Sequence, residues 1–80
     1  MFSVYILYSK SLDKYYIGHT ACLSDRIKRH NSGRSKVTKG GIPWIVMHTE
    51  TFKTKVDAYA RERSIKAKKS RIYIEQLIAR

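Results

Sequence analysis

Tyr5 and Tyr16 stand eleven residues apart, with Gly18 just beyond the second, and are followed by Arg26, His30 and a lone Glu62 in strongly basic surroundings. Two phenols, an arginine, a histidine and one carboxylate are what metal-assisted cleavage of a phosphodiester needs. The planar fork of arginine suits bidentate contact with phosphate, and histidine exchanges protons near neutral pH. One carboxylate is the minimum that anchors a single Mg²⁺, a hard ion content with one or two carboxylates plus substrate phosphates. The other acids (Asp13, Asp25, Glu50, Asp57 and Glu75) offer no pattern for a two-metal cluster. Each candidate also has a plainer use. The tyrosines suit a strand, and Arg26 suits a solvated face. His30 suits a helix end favoured by the macrodipole, and Glu62 suits an exposed pair with Lys66.

The chemistry therefore depends on the elements that would bring these residues together. Residues 2–9 and 15–20 are rich in β-branched and aromatic types and read as two strands of a hairpin, joined by a polar turn. Alternation places Tyr5 on one face of the first strand and Tyr16 with Gly18 on one face of the second. An odd-sum register near 21 would set the tyrosines on the same face, whereas a slip of one residue would separate them. Gly18 marks a place of close approach. Thr20 is a candidate cap for a helix from about Ala21 to Asn31, with Leu23, Ile27 and His30 on one stripe and Arg26 one turn before His30.

Asn31-Ser32-Gly33 reads as a stop, and Gly33 to Pro43 as a mobile, glycine-rich basic loop with Trp44 packed beneath it. Trp44 to Phe52 reads as a third strand. Thr54 would cap a helix to about Lys69 that buries Val56, Ala60 and Ala67, with Tyr59 alongside. Ser70 would start a last helix with Ile74, Leu77 and Ile78 inward. The order β-β-α-β-α-α predicts an α+β fold, a small three-stranded antiparallel sheet flanked by helices, in one domain over residues 1–80.

Charge sets the class of partner. Seventeen Lys and Arg against six Asp and Glu give a net charge of +11. Arg26, Lys28, Arg29, Arg34, Lys36 and Lys39 form one run without an acid; Lys66, Lys69 and Arg71 belong to a second. Such a field attracts polyanions and points to nucleic acid. The charge alone does not separate DNA from RNA. A chain this small buries only about 60–65 % of its unfolded surface. Its one cysteine, Cys22, cannot form an internal disulfide and suits a reducing cytoplasm, as a buried structural residue. Met1 to Leu7 is too short for a membrane span or a signal peptide. His19, His30, His48 and Cys22 lack zinc spacing, and neither a glycine-rich phosphate loop nor a Ser-His-Asp order occurs.

The ordered set Val4-Tyr5-Ile6-Leu7-Tyr8-Ser9, Tyr15-Tyr16-Ile17-Gly18-His19-Thr20, Leu23…Arg26…His30-Asn31, Pro43-Trp44, Ala60-Arg61-Glu62, Ile65-Lys66 and Lys69-Ser70-Arg71 resembles the GIY-YIG nuclease superfamily, in particular its short stand-alone bacterial members. Ser3 stands where the family name has glycine. The resemblance implies a Mg²⁺- or Mn²⁺-dependent DNA endonuclease with one ion and a structural or weak preference. By match, Tyr5 and Tyr16 are the motif tyrosines, Arg26 the helix arginine, His30 the histidine after it, and Glu62 the metal ligand. A tyrosine, Tyr5 for preference, would act as general base on water. A phenol of pKa about 10 needs a nearby cation to lower it, and Arg26 and the metal are the candidates. The small size leaves room for a partner protein that supplies specificity, as in a repair complex. The alternative is a catalytically idle nucleic-acid-binding module on the same basic face.

Overall fold

A computed structural model describes residues 1–80. The elements run β1 (Phe2–Ser9), β2 (Lys14–Thr20), α1 (Leu23–Asn31), β3 (Trp44–Phe52), α2 (Lys55–Ala67) and α3 (Arg71–Ala79), with a short 3₁₀ turn at Lys39–Gly41. The sheet is antiparallel with order β2-β1-β3, so the first strand is central and β2 is an open edge. This is the expected three-stranded α+β arrangement.

The central strand is covered on both faces, which is why its residues read as a nearly continuous apolar run. Val4, Tyr5, Ile6 and Leu7 are all at most 1 % exposed. Val4 and Ile6 point with Ile17 toward α2 and α3, where Ala58, Ile65 and Leu77 complete one core. Tyr5 and Leu7 point to the other face and pack with Trp44, Tyr16, Leu23 and Ile27. In the hairpin, Tyr5 is opposite Gly18 and Leu7 is opposite Tyr16. The parity is the one that puts both tyrosines on the α1 face. Their rings lie 6.4 Å apart between centroids.

Gly18 is required by packing rather than by backbone torsion. A Cβ there would sit 2.6 Å from Tyr5 Cζ and closer still to its hydroxyl, so the phenol of the central strand lies across the edge strand through the space that glycine leaves.

Helix boundaries follow the caps. Thr54 accepts from the Asp57 amide at 3.1 Å and Ser70 from the Tyr73 amide at 3.2 Å, as their positions predict. Thr20 does not cap α1. Its hydroxyl accepts from the Cys22 amide and donates to the Cys22 carbonyl, a local turn that holds the chain extended and delays the helix to Leu23. Cys22 is exposed rather than buried. Gly33, with φ of +82°, takes the left-handed conformation that ends α1.

Two further expectations are corrected. The second helix buries Ala58, Glu62 and Ile65, while Val56 is 76 % exposed, Tyr59 is 48 % exposed, and Ala60 and Ala67 face solvent. Counting Glu62 as polar rotated the expected stripe away from the face that packs. The loop from Gly33 to Pro43 is pinned rather than mobile. Thr38 within it is fully buried, the Trp44 indole donates to the Thr38 carbonyl at 2.6 Å, and a Cβ on Gly41 would collide with the Trp44 ring. Asn31 secures the far end by pairing with the amide and the carbonyl of Trp44 at 2.6 and 3.1 Å.

Gly18→Ala should lower stability by about 1–3 kcal/mol in thermal unfolding, because the added methyl displaces the Tyr5 ring. A melting temperature equal to that of the wild type would show that the two side chains do not compete for this space.

Candidate active site at the edge of the sheet

The sequence-predicted residues converge on the β2 edge from both faces. From the α1 side come Tyr5, Tyr16, Arg26 and His30. Tyr5 Oη lies 3.0 Å from His30 Nε2, and His30 Nδ1 lies 2.8 Å from Thr38 Oγ1. The His30 ring is 5.0 Å from Tyr16 and 5.9 Å from Tyr5, edge-on to both. His30 is 3 % exposed. Burial, with Arg26 and Arg29 nearby, holds its pKa below the ordinary histidine value. The macrodipole at a helix end favours the charged imidazole, and here burial outweighs it.

From the α2 side comes Glu62, 8 % exposed. Burial alone would raise its carboxyl pKa, but hydrogen bonds from His19 Nδ1 at 2.7 Å and Lys66 Nζ at 2.9 Å more than offset that and hold it low. Glu62 is thus an ionised carboxylate, and the exposed Lys66 covers its outer oxygen. His19 was not among the predicted site residues. The signal was available, since the residue after Gly18 must alternate onto the face where α2 packs. Thr38 gave no signal, because its role depends on how a loop folds back.

Tyr5 lies within electrostatic reach of both halves. Burial and the neighbouring Tyr16 push its pKa up to about 12; Arg26 pulls it down and Glu62 pushes it up. This reverses the expectation that a cation would lower it. The phenol stays protonated at neutral pH, with a hydrogen-bond acceptor within reach in His30.

Beside these residues runs a groove of about 520 Å³ whose charged lining is Arg26, Arg29 and Lys55 against Asp25, with His19 at its edge. Arg26, Lys28, Arg29, Arg34, Lys36, Lys39 and Lys69 take part in no ion pair, which leaves their charges free for an anion. Two of the predicted contacts are already engaged. Lys66 is on Glu62, and Arg71 pairs with Asp13 at 2.6 Å and Glu75 at 3.3 Å while covering the Tyr15 ring. Arg71 ties α3 to the hairpin turn.

No three His, Cys, Asp or Glu side chains cluster as a metal cage. One ionised, nearly buried carboxylate fits a single hard ion that completes its shell with water and substrate oxygens. It does not fit zinc or a two-metal centre. No helix is long and apolar enough to cross a membrane.

Comparison with known proteins identifies the family. Residues 1–75 match the family model of the GIY-YIG catalytic domain. A UPF0213 protein of Natronomonas pharaonis is 38 % identical over 77 residues, covering 95 % of this chain and 88 % of that protein. One from Halobacterium salinarum is 42 % identical over 53 residues, covering 65 % and 69 %. The solution NMR structure of a UPF0213 protein from Bacillus halodurans superimposes with a TM-score of 0.61 at 37 % identity, covering 99 % of this chain and 84 % of that one. With the family match spanning nearly its whole length, the chain belongs to the GIY-YIG nuclease superfamily.

Proposed function

We propose that the 80 residues are a single GIY-YIG domain that hydrolyses phosphodiester bonds in DNA with one Mg²⁺ or Mn²⁺ ion. The carrying observation is the buried chain Tyr5–His30–Thr38 set beside the unpaired Arg26 and the ionised Glu62. Cys22, free and exposed, suits a reducing cytoplasm.

A tyrosine held up to about 12 is not a phenolate at neutral pH, so it serves as a relay. With His30 neutral, Nδ1–H donates to Thr38 Oγ1, and the free Nε2 lone pair accepts the Tyr5 hydroxyl. The Tyr5 oxygen then accepts a proton from the attacking water as its own proton passes to His30 Nε2. The water oxygen bonds to phosphorus as the bond to the 3′ oxygen breaks, solvent protonates that oxygen, and His30 releases its extra proton to solvent back through Tyr5. Tyr16 packs edge-on to the imidazole and fixes its plane. Arg26 stabilises the charge that grows on the phosphoryl oxygens. Glu62 would hold the metal ion in place of its contact with Lys66, and the ion would supply Lewis-acid stabilisation of phosphate charge. The unpaired cations of α1 and its following loop hold the backbone and give the salt dependence of binding.

Glu62→Gln should abolish cleavage of a labelled DNA panel in Mg²⁺ or Mn²⁺ while leaving charge-driven binding in place. Cutting at the wild-type rate would remove Glu62 from the site, and binding without cutting on every substrate by the wild type would favour the idle module.

The relay also fixes a pH dependence. His30 must be neutral to accept a proton, so cleavage should fall as pH drops through a midpoint below the ordinary histidine value of about 6.5. Stability moves the same way. The unfolded chain takes up a proton that native His30 refuses, so folding free energy declines as pH falls below about 6.5. Thr38→Val should slow cleavage and displace this midpoint, with Thr38→Ser restoring both. An unchanged pH–rate profile in Thr38→Val would contradict the assigned tautomer.

A further inference from the structure

The outer side of α2 carries a feature that hydrolysis does not use. Tyr59 and Val56, three residues apart and on the same face, are 48 % and 76 % exposed although the chain has little core to spare. With His19 and Lys55 they line a depression of about 410 Å³. The His19 ring stands 5.5 Å from the Tyr59 ring, and that imidazole is the one bonded to Glu62 at 2.7 Å. One side chain therefore separates Tyr59 from the carboxylate. His19 and Lys55 also line the larger groove, so the two depressions adjoin. Arg63, one turn further on, sets its guanidinium 5.7 Å over the Tyr59 ring and belongs to no ion pair.

An exposed aromatic ring with a cation on either side, next to a groove with a surplus of cations, has the chemistry of a nucleobase site. Bases stack on aromatic side chains and on guanidinium planes whatever their sequence, while neighbouring cations take the phosphates. A base inside a duplex has both faces covered by its neighbours and reaches such a ring only by leaving the stack. We propose that Tyr59, supported by His19 and Val56, is the stacking platform for an unpaired base next to the scissile phosphate, so that the substrate is a single strand or a duplex opened at that point. This rests on the hydrolytic reading of Glu62. Arg63, exposed at the end of a long stem, would leave the ring for the adjoining phosphate when the base arrives.

The test is binding of labelled oligothymidine and of a blunt duplex of equal length, measured in EDTA so that nothing is cut, for the wild type, Tyr59→Phe and Tyr59→Ala. Tyr59→Ala should lose about 5- to 150-fold on the single strand and bind the duplex as the wild type does. Tyr59→Phe, which keeps the ring, should bind both normally. One abasic nucleotide scanned along the strand should weaken the wild type at a single position and Tyr59→Ala at none. Equal losses on strand and duplex, or no loss on either, would overturn the platform. So would a dimer in sedimentation that Tyr59→Ala dissolves, since the patch would then belong to a second copy of the chain. The two proposals fail separately. Cutting lost in Glu62→Gln with normal strand binding by Tyr59→Ala removes the platform alone. Ring-dependent strand binding by a protein that cuts nothing removes the hydrolytic reading alone.

Discussion

A hydroxyl buried in the middle of a sheet must find a hydrogen-bond partner, and much of this fold is organised around meeting that requirement for Tyr5. The phenol sits on the central strand at 1 % exposure and reaches outward across Gly18, where only a missing side chain lets it pass. Its partner is His30, at the far end of α1. His30 is oriented by Thr38, which the Trp44 indole holds in the loop, and Trp44 is tied back to α1 through Asn31. Each contact fixes the next, so a chain with a thin core gains a rigid polar network at its edge.

In the proposed hydrolysis the same network would reconcile two demands that conflict in water. A base must accept a proton at neutral pH, and a phenol does so poorly. Burial pushes Tyr5 up to about 12, which rules out a standing phenolate, and it holds His30 below its ordinary value, which keeps an acceptor ready. Low dielectric thus moves the two groups in opposite senses and separates their roles. On the other face, burial acts against the charge of Glu62, and His19 and Lys66 reverse the outcome with hydrogen bonds. In the proposed function, a carboxylate kept ionised by Lys66 and His19 would take a cation without a preformed cage.

Much of this was legible in the sequence. Strand periodicity placed β1 and β3 with their observed bounds, and alternation made a shared face for Tyr5 and Tyr16 conditional on an odd-sum register, which the hairpin adopts. Thr54 and Ser70 announced their helices through capping chemistry. Three larger features were not legible. Glu62 packs inward, so counting it as polar turned the expected stripe of α2 outside in and left Tyr59 and Val56 on the surface. The loop looked mobile by composition, yet Thr38 and Gly41 lock it through contacts remote in sequence. The Tyr5 shift came out opposite in sign, because the position of Arg26 could be guessed but the depth of burial could not. Local rules carried most of the elements, although the expected Thr20 cap lost to a local turn with Cys22; the other failures depended on tertiary contact.

Single-turnover cleavage by Tyr5→Phe tests the centre of this account most directly, because the change removes one oxygen and leaves the ring that fills the space over Gly18. The account predicts cleavage slowed by about 10²- to 10⁴-fold, with DNA binding and the folded structure retained. Cleavage at the wild-type rate by a folded Tyr5→Phe protein would contradict it, and the proton would then have to leave the water by a path that does not pass through Tyr5.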